Sequence, residues 1–100
     1  MGKTRILFFA EAVTLAHVTR PAVLAATLNP ELYEVHFAHH PRYRALLGTQ
    51  DFTEHTLHTI EPQQFMQSLA KGEPLYTADT LRDYVKEDLT LIEALKPDVI

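Results

Sequence analysis

The stretch from Ile6 to Ala10 is an unbroken apolar run with two phenylalanines, and it limits the fold more than any other part of the chain. Such a run reads as a strand buried on both faces, the habit of a parallel sheet covered by helices. A helix is predicted to begin near Thr19 or Arg20. Thr19 can cap it, and Pro21 suits a first turn, where a missing N–H costs nothing. Pro21, Leu24, Ala25 and Leu28 then follow the spacing of one buried helical face. Asn29-Pro30 ends the pattern. From Tyr33 to Ala38 the residues alternate, with Tyr33, Val35 and Phe37 on one side and Glu34, His36 and Ala38 on the other, as in a second strand. Together these make a βαβ unit, whose crossover is right-handed in nearly every case.

Pro41 opens a short helix, PRYRALL, closed by Gly48. His55 to Ile60 reads as a third strand, and Pro62 to Ala70 as a helix stopped at Gly72. Asp79 to Leu95 is the clearest helix. Leu81, Val85, Leu89, Ile92 and Leu95 form its apolar stripe, Thr80 and Asp83 resemble a capping box, and Lys96 suits its C-terminal end. Pro97 stops it, and Asp98 to Ile100 begin a fourth strand. The fold class is therefore α/β, a three-layer Rossmann-like domain with a mostly parallel sheet and helices on both faces. Residues 1–100 form a single domain, and the final strand leads to the expectation of a fragment of a longer protein.

The apolar fraction of 46% supports a packed core, and 22% charged residues is ordinary. A net charge of −4, with scattered basic residues, argues against general affinity for nucleic acid. The chain has no cysteine, which excludes disulfides, thiolate catalysis and cysteine-bound zinc. No signal-peptide core and no membrane-length apolar stretch is present, so a cytoplasmic location is expected and no transmembrane segment.

The turn after the first strand, AEAVTLAHVTRP, lies at the carboxyl end of that strand, where open α/β sheets place ligands. It has no glycine, so it matches neither G-x-G-x-x-G nor a P-loop. Its chemical candidate is His17. The positive end of a helix dipole favours a neutral imidazole, the form a general base requires. The alternative is that His17 only packs or caps.

Six histidines raise the question of a metal. His36 with His39 or His40 could converge at a strand end. His55 and His58 would face opposite sides of a strand and cannot chelate together. Solvated loop histidines are the preferred reading, so no metal site is assigned, and His39 and His40 are left a possible place on the rim of a ligand site. Arg20 reads as a solvent residue at a helix start, and Arg42 and Arg44 as exposed on a short helix. Phe65, Met66 and Leu69 read as core by spacing.

Three passages resemble one family. They are the first strand with its histidine-bearing turn, AHVTRP; the helix-to-strand phrase LNPELYEVHFA; and the ending KPDVI. Arg5 to Leu47 resembles the N-terminal half of GT-B glycosyltransferases, in particular the UDP-glucuronosyl/UDP-glucosyltransferase-like family. That resemblance implies an N-terminal acceptor-binding domain, with a donor-binding C-terminal domain lying outside this chain.

The implied enzyme transfers a hexose to a hydroxyl of a small lipophilic acceptor, with inversion and without a metal. The chain itself would bind no cofactor. The full-length protein would use a UDP- or dTDP-sugar donor, and the chain alone would be inactive. The family histidine matches His17 as the base, and Glu11, Val13, Thr14, Phe65 and Met66 would surround the acceptor. Ala16 stands where the family commonly has glycine. The acid that orients the family's histidine would lie beyond Ile100, and Asp98 would be structural. Self-association of the fragment through apolar surface is also expected. The alternatives are a non-catalytic α/β binding module, in which His17 is structural, and a related GT-B enzyme such as a nucleotide-sugar epimerase.

Overall fold

A computed structural model describes residues 2–11, 15–43 and 52–100. The elements run β1 (Thr4–Ala10), α1 (Leu15–Ala26), β2 (Tyr33–His39), a 3-10 turn (Pro41–Tyr43), β3 (Thr53–Thr56), α2 (Pro62–Lys71) and α3 (Ala78–Leu95). The three strands form a parallel sheet in the order β1-β2-β3. Ile6 also pairs in parallel with Val99, on the edge of β1 away from β2. The Leu7 N–H donates to the Val99 carbonyl at 2.9 Å, and the Asp98 N–H to the Arg5 carbonyl at 2.8 Å. The chain thus builds outward from β1 in both directions. In open α/β sheets the crevice at such a switch point, at the carboxyl ends of the strands, is the ligand position.

The alternation of β2 sorts the two faces. Val35 and Phe37 join Ala10 and the α1 residues Val18, Ala22 and Ala25 in one core cluster. Ala38 joins Leu7 and Leu57 on the other face, covered by Leu91, Ile92 and Leu95 of α3. The result is the three-layer arrangement expected: a parallel sheet with a helix on each face.

Several local expectations give way. Helix α1 starts at Leu15 rather than near Thr19, so Pro21 lies inside it. Proline there cannot donate the backbone bond to the His17 carbonyl. The extra turn buries Val18 completely on the sheet, and the inward stripe is Val18, Ala22 and Ala25. Leu24, expected inward, is 58% exposed.

Strand β3 ends at Thr56 rather than at Ile60. Leu57 and Ile60 are buried in the connection that follows it. The α3 stripe is also rotated. Ile92 and Leu95 pack inward, but Leu81, Val85 and Leu89 are exposed, while Tyr84, Glu87, Asp88 and Leu91 are half-buried. The N-cap of α3 is Thr77, whose hydroxyl accepts from the Thr80 N–H at 3.0 Å, so Thr80 and Asp83 do not form the box. The helix expected over PRYRALL is a 3-10 turn through Tyr43, and its remainder, with Arg44, lies outside the described residues.

Asp98 is structural, as expected: its carboxylate accepts the Arg5 backbone N–H at 2.8 Å. Gly72 caps α2 in the left-handed region, with φ of 68°.

Candidate functional site at the carboxyl edge of the sheet

His17 is the third residue of α1, and it is exposed. The early helix start places it in the first turn, at the carboxyl end of β1, rather than in the loop ahead of the helix. Its ring meets Phe65 of α2 edge-on, with centroids 6.4 Å apart and planes at 78°. An open cavity of about 330 Å³ beside it is lined by Ala16, His17, Arg20 and Pro21. Arg20, read as a solvent residue, is exposed and also lines this cavity. Met66 is 60% exposed and Leu69 is exposed too, so neither is the core residue that spacing suggested. Phe65 is half-buried. Val13 and Thr14 lie outside the described residues.

Glu11 follows β1 directly. Its carboxylate accepts a 2.5 Å hydrogen bond from the Tyr76 hydroxyl. Burial first, and then this bond to an anion, push the Tyr76 phenol up to about 12. Tyr84 of α3 stands edge-on to Tyr76, with centroids 5.8 Å apart, and its hydroxyl oxygen accepts the Ile60 N–H at 2.8 Å. Burial is the main cause raising the Tyr84 phenol, and the nearby Glu11 carboxylate adds to it. The Tyr76 phenol therefore holds the Glu11 carboxylate at the end of β1, with Tyr84 packed against that phenol.

A second cavity of about 250 Å³ opens between Glu11, Thr59 and α3, where Tyr84, Glu87 and Asp88 line it. Both oxygens of Glu87 are engaged by His58, one by its backbone N–H at 2.7 Å and one by Nδ1 at 2.6 Å. Burial, and secondarily the Glu87 charge, raise the Asp88 carboxyl above its ordinary value. Tyr76, Tyr84 and Glu87 were not singled out from sequence. The available signal was the spacing of positions 84, 87, 88, 91 and 95, which share one helical face.

The remaining histidines are paired rather than solvated. His36 and His39 are buried on opposite faces of β2 and do not converge. The His36 Nε2 lies 2.7 Å from Glu34, and its Nδ1 lies 2.8 Å from the His55 Nε2. Arg5 closes the chain by bonding both Glu34 and the Leu95 carbonyl. His39 is fully buried beside Glu54, with Nε2 at 2.8 Å, so it cannot form a rim. His40 is half-buried, and its Nδ1 accepts the Arg42 N–H at 3.1 Å. Among the described residues no three His, Asp or Glu side chains gather into a metal-holding group.

The chain resembles known proteins along nearly all of its length. It is 50% identical over 98 residues, 98% of the chain, to a protein named PGL/p-HBAD biosynthesis rhamnosyltransferase from Mycobacterium bovis BCG. It is 45% identical, over the same share, to a PGL/p-HBAD biosynthesis glycosyltransferase from Mycobacterium tuberculosis H37Ra. Its relatives are named glycosyltransferases. One of them, from Mycobacterium bovis BCG and again 45% identical, is named an inactive glycosyltransferase. The chain spans 22%, 23% and 27% of the lengths of these three relatives, in the order rhamnosyltransferase, glycosyltransferase, inactive glycosyltransferase. No family model matches the chain. No solved structure matches it. Among the described residues no helix is long and apolar enough to cross a membrane.

Proposed function

We propose that this chain is the acceptor-side part of a nucleotide-sugar-dependent glycosyltransferase of the GT-B kind. The observation that carries the reading is the exposed His17 in the first turn of the helix that follows β1, edge-on to Phe65. The similarity to glycosyltransferases over 98% of the chain supports it. In this reading the acceptor lies against Phe65 and Met66, with Glu11, Val13 and Thr14 at the mouth. His17 takes the proton of an acceptor hydroxyl as that oxygen bonds to the anomeric carbon of a hexose. The bond from that carbon to the nucleoside diphosphate breaks, the diphosphate leaves with the electron pair, and the anomeric centre inverts. A UDP- or dTDP-sugar is the donor, and its site lies in polypeptide outside this chain.

The test uses the longest natural product that contains this chain. It is incubated with UDP- and dTDP-sugars and lipophilic alcohols while nucleotide release is followed. His17→Ala is expected to lower release by about 10²-fold or more, the usual worth of a general base. Release unchanged by His17→Ala would remove the imidazole from the mechanism.

A second reading is a non-catalytic binding module, favoured by the 45% identity to a relative named inactive. It predicts no release with any donor, and retention of a lipophilic acceptor by the isolated chain.

A further inference from the structure

The carboxylate of Glu11 is engaged on its own side of the molecule. It follows β1 directly, stands four residues ahead of the first residue of α1, and accepts from the Tyr76 hydroxyl at 2.5 Å. Tyr76 lies just ahead of Thr77, the N-cap of α3, and stacks edge-on against Tyr84 within that helix. Tyr84 in turn accepts the Ile60 N–H at 2.8 Å, beyond β3. Three segments that share only the carboxyl edge of the sheet are thus tied through two phenols and one carboxylate. An anion accepting from a phenol makes a short, charge-assisted bond, stronger than one between neutral groups.

We propose that Glu11 is a positioning residue, whose grip by Tyr76, itself packed edge-on against Tyr84, fixes the start of the β1–α1 connection so that α1 presents His17 against Phe65. The inference rests on the reading of His17 as the working imidazole. Glu11 holds the mouth of the site rather than binding an acceptor hydroxyl itself. The far end of the same short span is fixed too, since Val18, next to His17, is fully buried on the sheet. A side chain between two anchored points keeps its direction only while both hold. Releasing Glu11 therefore frees the first turn of α1 without unpacking Val18, Ala22 and Ala25.

The test is made on the 100-residue chain by NMR, with the His17 ring assigned through His17→Gln. The variants are Glu11→Gln, Tyr76→Phe and both together. Each single change is expected to move the His17 ring resonances and weaken the proton contact between His17 and Phe65. The pair should add little to either, because both break the same link. In Glu11→Gln the Tyr76 phenol should titrate lower than in the unaltered chain, with burial, the larger cause, still holding it up.

His17 resonances and the Phe65 contact unchanged in both single variants, with the amide spectrum still folded, would overturn the proposal. Tyr76→Phe keeps the ring and removes one oxygen, so it serves where Glu11→Gln does not fold. Nucleotide release separates the two ideas. If the His17 resonances move in Glu11→Gln while release is indifferent to His17→Ala, the positioning role stands and the base role falls.

Discussion

The imidazole of His17, on α1, stands edge-on to the ring of Phe65, on α2, with centroids 6.4 Å apart. An edge-on aromatic pair contributes about 0.5–1.5 kcal/mol and sets a direction as well as a distance. Phe65→Ala should therefore leave the chain folded, because Phe65 is only half-buried and outside both core clusters. In a nucleotide-release assay it should raise KM for lipophilic acceptors more than it lowers kcat. Phe65→Tyr should restore most of that loss, since it keeps the ring. A kcat loss as large as that of His17→Ala, with KM unchanged, would show that Phe65 only orients the imidazole.

Acid should destabilise the fold from just below neutrality. Burial pulls His40 and His55 below their ordinary value of 6.5, with Arg42 adding to the first and His36 to the second. A histidine with a lowered folded value takes up its proton more readily when unfolded. Stability therefore rises with pH across the window below about 6.5. Glu34 acts lower down: its hydrogen bonds to His36 and then Arg5 hold it below 4.5, so its contribution is present above 4.5 and lost as pH falls through the folded value. Urea midpoints from pH 7.5 to 4 should fall steadily, and His55→Gln should flatten the upper part of that decline. A midpoint flat from pH 7 to 5.5 in the unaltered chain would contradict this.

Phe37 anchors the α1 side of the sheet. It is fully buried and stacks between Phe8 and Phe52, with centroids at 6.0 and 5.0 Å, while His39 meets it edge-on at 5.1 Å. Phe37→Ala should cost about 3–5 kcal/mol, the range for a truncated core aromatic. Phe37→Leu keeps much of the volume and should cost clearly less. Equilibrium urea unfolding separates the two. Equal losses would mean that stacking, rather than filled volume, dominates there.

The βαβ unit was legible in the sequence because its signals are local: an apolar run, a helical spacing and the strict alternation of Tyr33 to Ala38. The start of α1 was not. Pro21 is a strong local signal for a first turn, but the burial of Val18 outweighs the backbone bond that Pro21 cannot make. The rotation of α3 was missed for a related reason. Three of its apolar positions, Leu81, Val85 and Leu89, are not inward ones, because Tyr84, Glu87 and Asp88 face the carboxyl edge of the sheet. The place of His17 just after β1 was legible. Its contact with Phe65 was not, and neither was the Tyr76–Glu11 link across 65 positions, because no period connects residues that meet only through the fold.

Lys96 offers a gain in stability. It caps α3 in the left-handed region, with φ of 50° and ψ of 58°, and its N–H donates to the Ile92 carbonyl at 2.8 Å. Left-handed backbone costs an ordinary residue about 1–2 kcal/mol, and glycine essentially nothing. Gly72 already fills the equivalent place after α2, with φ of 68°. Lys96→Gly should remove that cost. Two effects oppose it: the greater freedom of glycine in the unfolded chain, and the loss of a cation at the helix C-terminus, which is worth about 0.3–1 kcal/mol. The net expectation is a gain of about 0.5 kcal/mol, read as a small rise in the urea midpoint with no change in slope. Lys96→Ala isolates the cause, since it removes the same charge but keeps the strained backbone. It should lower the midpoint slightly, and a rise as large as that of Lys96→Gly would show that the charge, not the backbone, sets the effect.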